Sequence, residues 1–353
     1  MRSFPYRIFR WHAGSPAWGA GVVATLGCAL PLSLGLTTGH SGFLVAAYGA
    51  FLASQADPLQ RFGMLRMLLL TGLGALSAGL GYWSGSHPLL SLGLFAVFGL
   101  LLAWLQRFGN EAGKLGVGLA ICLVLGQSQY GTGQLHNPAA VGTLFILGAL
   151  WVMLLAFGLR GAHGLRMWPR MPRLPGLLRA LRRHARRLPR RQWLLHALGC
   201  SLALALAGLA ITLGQLAHGY WLSLLVICSL QIELQDSLVH TLQASMAGLC
   251  GALLSILLGY GLQSPAQMVA TLLLLIFFCR TFQAHRYGLF VLQCTLCFVL
   301  LSESLAVDWD QPQARLFNSL LGVTLAMLVA LLMHGLRQHL GRAGLPVSKS
   351  EQS

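Results

Sequence analysis

The sequence predicts an all-α membrane protein with about twelve transmembrane helices, arranged as two parallel six-helix repeats with both termini in the cytoplasm. Three observations predict this fold: the composition, the series of apolar segments, and a constant offset between matching residues in the two halves. Of the 353 residues, 56% are apolar and only 9% are charged. A soluble domain carries about 25% charged residues, so a chain this poor in charge cannot cover itself with a hydrated surface.

Twelve apolar segments follow one another along the chain. A helix needs about 20 mainly apolar residues to cross a bilayer, so the chain has room for about a dozen crossings joined by short loops. The first segment follows three arginines, but it is longer than a signal-peptide core and many segments follow it, so we expect a retained helix. The segments are 16–36, 41–55, 62–83, 87–105, 112–128, 138–159, 193–216, 219–232, 238–260, 265–280, 286–303 and 315–336.

The positive charges indicate the topology. With a cytoplasmic N-terminus, 23 of the 24 Lys and Arg residues lie on the inner side, and only Arg315 lies outside. Basic loops mark the cytoplasmic side of a membrane protein. Miscounting one helix in the first half would put the eleven arginines of Arg160–Arg191 outside. The net charge of +16 is therefore a mark of topology, and we expect no nucleic-acid partner.

Matching residues recur at an offset of 177 or 178, which is half the chain. Each half therefore holds six helices, and an even number of crossings restores the same orientation, so the repeats are parallel. The matches are Gly74-Ala75-Leu76 with Gly251-Ala252-Leu253, Gly81-Tyr82 with Gly259-Tyr260, Gly158-Leu159-Arg160 with Gly335-Leu336-Arg337, and His40 with His218.

A basic linker separates the two predicted repeats. The expected organisation is a first repeat at 1–159, a cytoplasmic linker at 160–192, a second repeat at 193–336 and a cytoplasmic tail at 337–353. Four prolines in the linker rule out one continuous helix. Leucines alternate with arginines from Gly176 to Leu188, which favours a short helix on anionic lipids of the inner leaflet. A solvated linker that only fixes topology explains the same pattern equally well.

The sequence carries no catalytic or cofactor motif: GxGxxG, Walker A, GxSxG and HExxH do not occur. We therefore expect neither an enzyme nor a bound cofactor or metal. All eight cysteines fall in apolar segments and are interpreted as small buried thiols. Cys294 and Cys297 form a CxxC, but inside an apolar segment and with no second pair nearby.

The second segment of each half, at 41–55 and 219–232, is too short to span a bilayer. Short or broken segments at matching positions of two repeats point to a transporter's binding site. The alternative is that both helices are full length and their ends are misplaced. The candidate residues at these segments are Tyr48 and Trp221, which could sandwich a flat substrate, and Gln231 as a further substrate contact. His40, His218, Glu233 and Asp236 are the candidates for proton coupling.

Arg66 lies about one turn inside the third segment, and Gln243 is its counterpart in the second half. A buried cation in a membrane is costly and usually functional, and a guanidinium binds a carboxylate with two hydrogen bonds. An arginine near a helix end can instead reach the headgroups. Amides such as Gln243 also link helices. Arg280 and Arg286 bracket a cytoplasmic loop, where topology alone explains them.

The second half resembles a known repeat from His218 to Tyr260, in the stretch HGYWLSLLVICSLQIELQDSLVHTLQASMAGLCGALLSILLGY. This stretch, and Arg315 before LFNSLLGVTLAMLVALL, resemble the repeat of the fusaric acid resistance / aromatic acid exporter family. The resemblance implies proton-driven efflux of aromatic or other organic anions, and relatives that act as anion channels. The family's arginine on the third helix is matched by Arg66 but replaced by Gln243, and the large cytoplasmic domain of many members is missing.

Together these observations predict a multi-pass secondary transporter of the bacterial inner (plasma) membrane that exports organic anions. The alternatives are an uncoupled organic-anion channel with the same path and a non-transporting membrane scaffold subunit. The expected partners are a small organic anion and anionic lipids at Arg160–Arg191. A homo-oligomer or a periplasmic adaptor is also compatible with the sequence.

Overall fold

A computed structural model describes residues 16–56, 63–130, 135–167, 185, 190–214, 216, 218–229, 234–262, 264–283, 287–303 and 312–342. Apart from short turns, these residues form twelve helices, one in each predicted apolar segment. The helices are α1 Trp18–Thr38, α2 Gly42–Ser54, α3 Gly63–Ser84, α4 Pro88–Gln106, α5 Asn110–Ser128, α6 Pro138–Met167, α7 Arg190–Gly214, α8 Tyr220–Ser229, α9 Leu234–Gly261, α10 Pro265–Thr281, α11 Tyr287–Glu303 and α12 Pro312–Arg342.

Local residue chemistry explains where several helices begin and end. Proline is the first residue of α4, α6, α10 and α12, a position where its missing N–H and fixed φ cost nothing. Ser264 and Gln267 form a reciprocal capping box at the start of α10. Gly39 ends α1 in the left-handed conformation, with φ of 68°, and its N–H bonds to the Gly35 carbonyl.

Helices α6, α9 and α12 extend furthest beyond the predicted segments, because polar residues continue the helix past the apolar run. Helix α6 continues to Met167 and α12 to Arg342. Helix α9 begins at Leu234, so Asp236 lies inside its first turn rather than at the end of the preceding segment. Most of the linker, including all of Gly176–Leu188 except Ala185, lies outside the described residues.

Five of the described helices are long and apolar enough to cross a membrane: α1, α3, α4, the first 22 residues of α6, and α7 from Trp193. Helix α1 shows how such a helix meets lipid, because Val22, Leu26, Leu30 and Leu34 recur every four residues and are all exposed. The shorter apolar helices include α2 and α8. The all-helical fold of a polytopic membrane protein is therefore confirmed.

Helices α2 and α8 are short, as the sequence predicts. Helix α2 has 13 residues and α8 has 10, which correspond to about 20 and 15 Å at 1.5 Å per residue. The hydrocarbon core of a bilayer is about 30 Å thick, so neither helix spans it alone. Every residue of α2 except Phe43 is buried, and so is every residue of α8 except Cys228. These two helices therefore lie in the interior of the protein.

The packing of the first six helices has the same pairing as that of the last six. Helix α2 packs on α6 as α8 packs on α12, and α3 packs on α5 as α9 packs on α11. The halves meet along two seams, where α4 packs on α7 and α10 packs on α1. The α10–α1 seam includes a hydrogen bond from the Ala17 N–H to the Thr281 carbonyl, and Trp18 packs on Phe277. A two-fold internal repeat would produce this pairing.

The α2–α6 contact depends on two glycines. A Cβ atom at Gly49 would overlap the Phe145 carbonyl oxygen, and one at Gly148 would overlap the Ala46 carbonyl oxygen. Small residues at such crossings let two membrane helices approach backbone to backbone. These glycines therefore set how closely α2 lies against α6.

We expect Gly148→Ala to destabilise the protein by about 2 kcal/mol, because α2 and α6 must separate to admit the new methyl group. Thermal unfolding of the purified protein in detergent measures the change. Gly72→Ala is the matched control, because Gly72 lies within α3 with no atom near its missing Cβ. It should leave the midpoint unchanged or raise it slightly. Equal midpoints for the two variants would contradict the close approach.

Candidate functional site

The C-terminal end of α2 binds two arginines from different halves of the chain. Nη2 of Arg66, on α3, donates to the Gln55 carbonyl at 2.8 Å. Nε of Arg280, on α10, donates to the Ser54 carbonyl at 2.6 Å. The last carbonyls of a helix have no partner within the helix and carry its partial negative charge, so cations are favourable there. We call Ser54, Gln55, Arg66, Glu111 and Arg280 the α2 terminal site.

Arg66 also forms an ion pair that the sequence analysis missed. Its Nη1 lies 2.7 Å from Oε2 of Glu111, in the first turn of α5, and Lys114 lies 2.8 Å from the other carboxylate oxygen. The Arg66 side chain is 10% exposed and that of Glu111 is 37% exposed. Glu111 is not among the candidate residues that the sequence singles out. Its position at a helix start, where an acid is favourable, carried no signal that α5 packs beside Arg66.

The interpretation of Arg280 as a topological marker was incomplete. Arg280 is 6% exposed, and its Nη1 donates to Oε1 of Gln283 at 2.6 Å in addition to the bond with Ser54. Residues 54 and 280 are 226 positions apart, so no local pattern connects them. Arg280 therefore ties the second half of the chain to the buried short helix of the first half.

Buried polar atoms without partners lie beside these arginines. Both amide atoms of the Gln55 side chain are buried with no hydrogen-bond partner among the described residues, and so is the Thr281 hydroxyl. Buried polar groups are normally paired, and an unpaired one is costly. The α2 terminal site thus offers guanidinium and amide groups within the fold, which suits a small anion with further polar atoms.

The histidines predicted for proton coupling lie at the opposite ends of the short helices. Nδ1 of His40 accepts a hydrogen bond from the Gly42 N–H at 2.9 Å, so this exposed residue caps the start of α2. His218 precedes α8 with a φ of 55°, and its ring contacts that of Tyr220. Neither histidine lies at the α2 terminal site, and their role in coupling stays a prediction.

The two aromatics predicted to sandwich a substrate are both packed inside the protein. Tyr48 is 2% exposed and packs on Phe298 of α11, with ring centroids 6.3 Å apart. Trp221 is 3% exposed and packs on Tyr220. A substrate would reach either ring only after the surrounding helices move.

The remaining candidates are described only in part. Gln243 is half-buried on α9. Asp236 lies on the same helix, but its side chain is outside the described residues. Gln231 and Glu233 fall in the undescribed stretch between α8 and α9. In the linker, the Ala185 carbonyl accepts a hydrogen bond from Nε of Arg107, which also lies over the Trp193 ring.

Comparison with known proteins supports the predicted family. The model of the fusaric acid resistance protein-like family matches residues 198–329, from α7 into α12. This region includes the stretch from His218 to Tyr260 on which the resemblance depends. No curated protein and no solved structure matches the chain. Residues 198–329 of this chain are therefore similar to the fusaric acid resistance protein-like family.

Proposed function

We propose that the protein is a secondary transporter that exports organic anions, with aromatic carboxylates as the leading substrate class. The observation that carries the proposal is the meeting of Arg66 and Arg280 at the end of the buried short helix α2. Transport, rather than catalysis, is the activity that this arrangement and the family match support.

Anion recognition at this site would work by exchange of partners. A guanidinium binds a carboxylate through charge-assisted, often paired hydrogen bonds. Arg66 already binds one carboxylate, that of Glu111, on its Nη1. A substrate carboxylate would therefore compete with Glu111 for Arg66. Aromatic specificity is supported by Tyr48 and Phe51 of α2, which both pack on Phe298.

Movement of the substrate across the membrane would be caused by movement of the two halves relative to each other. We propose that helices α1–α6 and α7–α12 are parallel repeats, which the equivalent packing of the two sets supports. Arg66 belongs to the first set and Arg280 to the second, and both hold the end of α2. Rocking of one set against the other would change the distance between Arg280 and Ser54, and so open or close the site.

The energy source and setting are further parts of the proposal. We propose antiport with protons, with His40, His218, Glu233 and Asp236 as the candidate carriers, in a bacterial inner membrane with both termini in the cytoplasm. Anionic lipids would bind the Arg160–Arg191 linker through its positive charge. A homo-oligomer and a periplasmic adaptor remain candidate partners, and Gln231 and Gln243 remain candidate substrate contacts.

Two other functions compete with this one. An uncoupled organic-anion channel would use the same arginines, and the implied channel relatives favour it. A non-transporting scaffold would use them only to hold α2 in place. The hydrogen bonds of Arg280 to Ser54 and Gln283 are compatible with this role.

Flux into liposomes distinguishes these functions. We would load vesicles with an acidic interior, add labelled 4-hydroxybenzoate outside, and compare protein-containing with protein-free vesicles. Passive diffusion of the neutral acid accumulates the label on the alkaline side, whereas proton antiport accumulates it on the acidic side. We expect accumulation in the acidic interior, and collapse of the pH gradient should abolish it.

The direction of flux decides the outcome. Protein-dependent equilibration that follows the membrane potential and ignores the pH gradient would favour the channel. If 4-hydroxybenzoate and a panel of aliphatic and aromatic carboxylates all behave as in protein-free vesicles, organic-anion transport is wrong and the scaffold is favoured.

A further inference from the structure

Three cysteines from two helices meet inside the second half of the chain. Sγ of Cys279, near the end of α10, lies 3.9 Å from Sγ of Cys294 on α11. Cys297, three residues after Cys294 on α11, is fully buried as Cys279 is. Cys294 and Cys297 are three residues apart, so they share one face of α11. We call Cys279, Cys294 and Cys297 the thiol cluster.

The CxxC therefore has a third thiol that the sequence analysis did not anticipate. Cys279 is 15 residues from Cys294 and reaches it only because α10 and α11 pack against each other. Among the described residues, no group of three His, Cys, Asp or Glu side chains is arranged to hold a metal ion. The cluster is thus better suited to reaction between thiols than to metal binding.

Burial gives the three thiols different accessibility. Cys279 and Cys297 are 0% exposed, whereas Cys294 is half-buried. A reagent dissolved in the lipid would therefore reach Cys294 first. The Cys279 sulfur is held 3.9 Å from the Cys294 sulfur, and a neighbour held at this distance reacts far faster than one that must diffuse to it.

We propose that Cys279 and Cys294 form an oxidisable thiol pair, with Cys297 as the alternative partner of Cys279. A lipid-soluble two-electron oxidant of the diazenedicarboxamide class would add the Cys294 thiol across its N=N bond, forming an S–N bond and taking up the thiol proton; the attack described next breaks this S–N bond. The Cys279 sulfur then attacks the Cys294 sulfur, the S–S bond forms, and the reduced oxidant leaves. The two thiols lose two electrons and two protons, and the oxidant gains both.

The geometry allows this bond with side-chain movement. A disulfide places its sulfurs about 2 Å apart, so the two thiols must approach by rotation about their χ1 angles. The product would join α10 to α11. Helix α10 carries Arg280 immediately after Cys279, and α11 carries Phe298, which packs on Phe51 of α2 with ring centroids 5.3 Å apart. The disulfide would therefore link the two second-half helices that contact α2.

The test is oxidation of the full-length protein in lipid nanodiscs with diamide, followed by alkylation of remaining thiols and mass spectrometry of peptides. A Cys250→Ser background removes an exposed thiol that can link separate molecules. We expect a peptide pair joined through Cys279 and Cys294, lighter by two hydrogen atoms than the separate peptides and separated by dithiothreitol. Failure to find any linked peptide containing Cys279 would overturn the proposal.

Single substitutions show which thiols react. In this background, Cys294→Ser should shift the link to Cys297, and Cys279→Ser should reduce crosslinking to background. Cys122→Ser is the matched control, because Cys122 is fully buried on α5 in the other half, and it should leave the link unchanged. A Cys294–Cys297 link that persists in Cys279→Ser would show that Cys279 is not the partner. The readout requires no transport, so it is independent of the proposed function.

Discussion

Replacing Arg66 with alanine should reduce carboxylate flux by about tenfold or more, the largest functional effect that we expect in this protein. The change removes a hydrogen bond to the Gln55 carbonyl, which lies at the partially negative end of α2. It also removes the bond to the charged carboxylate of Glu111. Hydrogen bonds to charged groups contribute about 1.5–3 kcal/mol, and 1.4 kcal/mol corresponds to a factor of ten. The measurement is the initial rate of labelled 4-hydroxybenzoate uptake in the acidic-interior vesicles.

Two control variants separate the role of the guanidinium from that of positive charge. Arg66→Lys keeps the charge but cannot bind two partners in the same fixed geometry, so it should retain only part of the flux. Lys114→Ala removes the other, 49% exposed cation beside Glu111 and should change the rate less than twofold, because exposed ion pairs contribute about 0–1 kcal/mol. A Lys114→Ala defect equal to that of Arg66→Ala would show that only the local positive charge matters.

Glu111→Gln tests whether substrate and Glu111 compete for Arg66. If they compete, the neutral amide binds the guanidinium more weakly and the KM for the carboxylate falls. If Glu111 only holds Arg66 in place, the variant resembles Arg66→Ala and the rate falls instead. The two roles thus predict opposite changes, and the concentration dependence of the initial rate distinguishes them.

The largest stability effect should come from Arg280→Ala, at about 3 kcal/mol. The side chain is nearly fully buried, and its loss leaves the Ser54 carbonyl and the Gln283 amide without their donor. An orphaned buried acceptor costs about 1–3 kcal/mol, and removing one member of a buried charged network about 3–5 kcal/mol. We expect a lower midpoint of thermal unfolding in detergent.

The matched control for Arg280 lies on the same helix. Leu274 of α10 is 57% exposed, so Leu274→Ala removes little packing and should shift the midpoint far less. Gln283→Ala removes only one partner of Arg280, so its unfolding midpoint should lie between those of Arg280→Ala and Leu274→Ala. If Arg280→Ala and Leu274→Ala unfold at the same temperature, Arg280 does not hold α2 as the geometry indicates.

Much of the fold could be predicted because membrane helices are encoded locally. A helix in lipid must satisfy its own backbone hydrogen bonds and expose apolar side chains, so each of the twelve segments is visible in its own residues. The short lengths of α2 and α8 are visible for the same reason. Arg66 could be singled out as a costly cation inside an apolar run, without knowledge of its neighbours.

The partners of these residues could not be predicted. Residues 66 and 111 are 45 positions apart, and residues 54 and 280 are 226 apart. Which side chains meet depends on which helix faces pack together, and all faces of an apolar helix look alike when lipid and protein interior are equally apolar. The sequence therefore gives no signal for the pairing of Glu111 with Arg66 or for the contact of Arg280 with Ser54.

By itself, the sequence determined the membrane class, the number of helices, the two short interior helices and a family resemblance, because composition and hydropathy act residue by residue. Only the tertiary structure decided that α2 ends between arginines of both halves, that Glu111 pairs with Arg66, and that Cys279 joins the CxxC of α11. These contacts arise from close packing of helices distant in the chain, and no periodicity within one helix specifies which neighbour its buried face will meet.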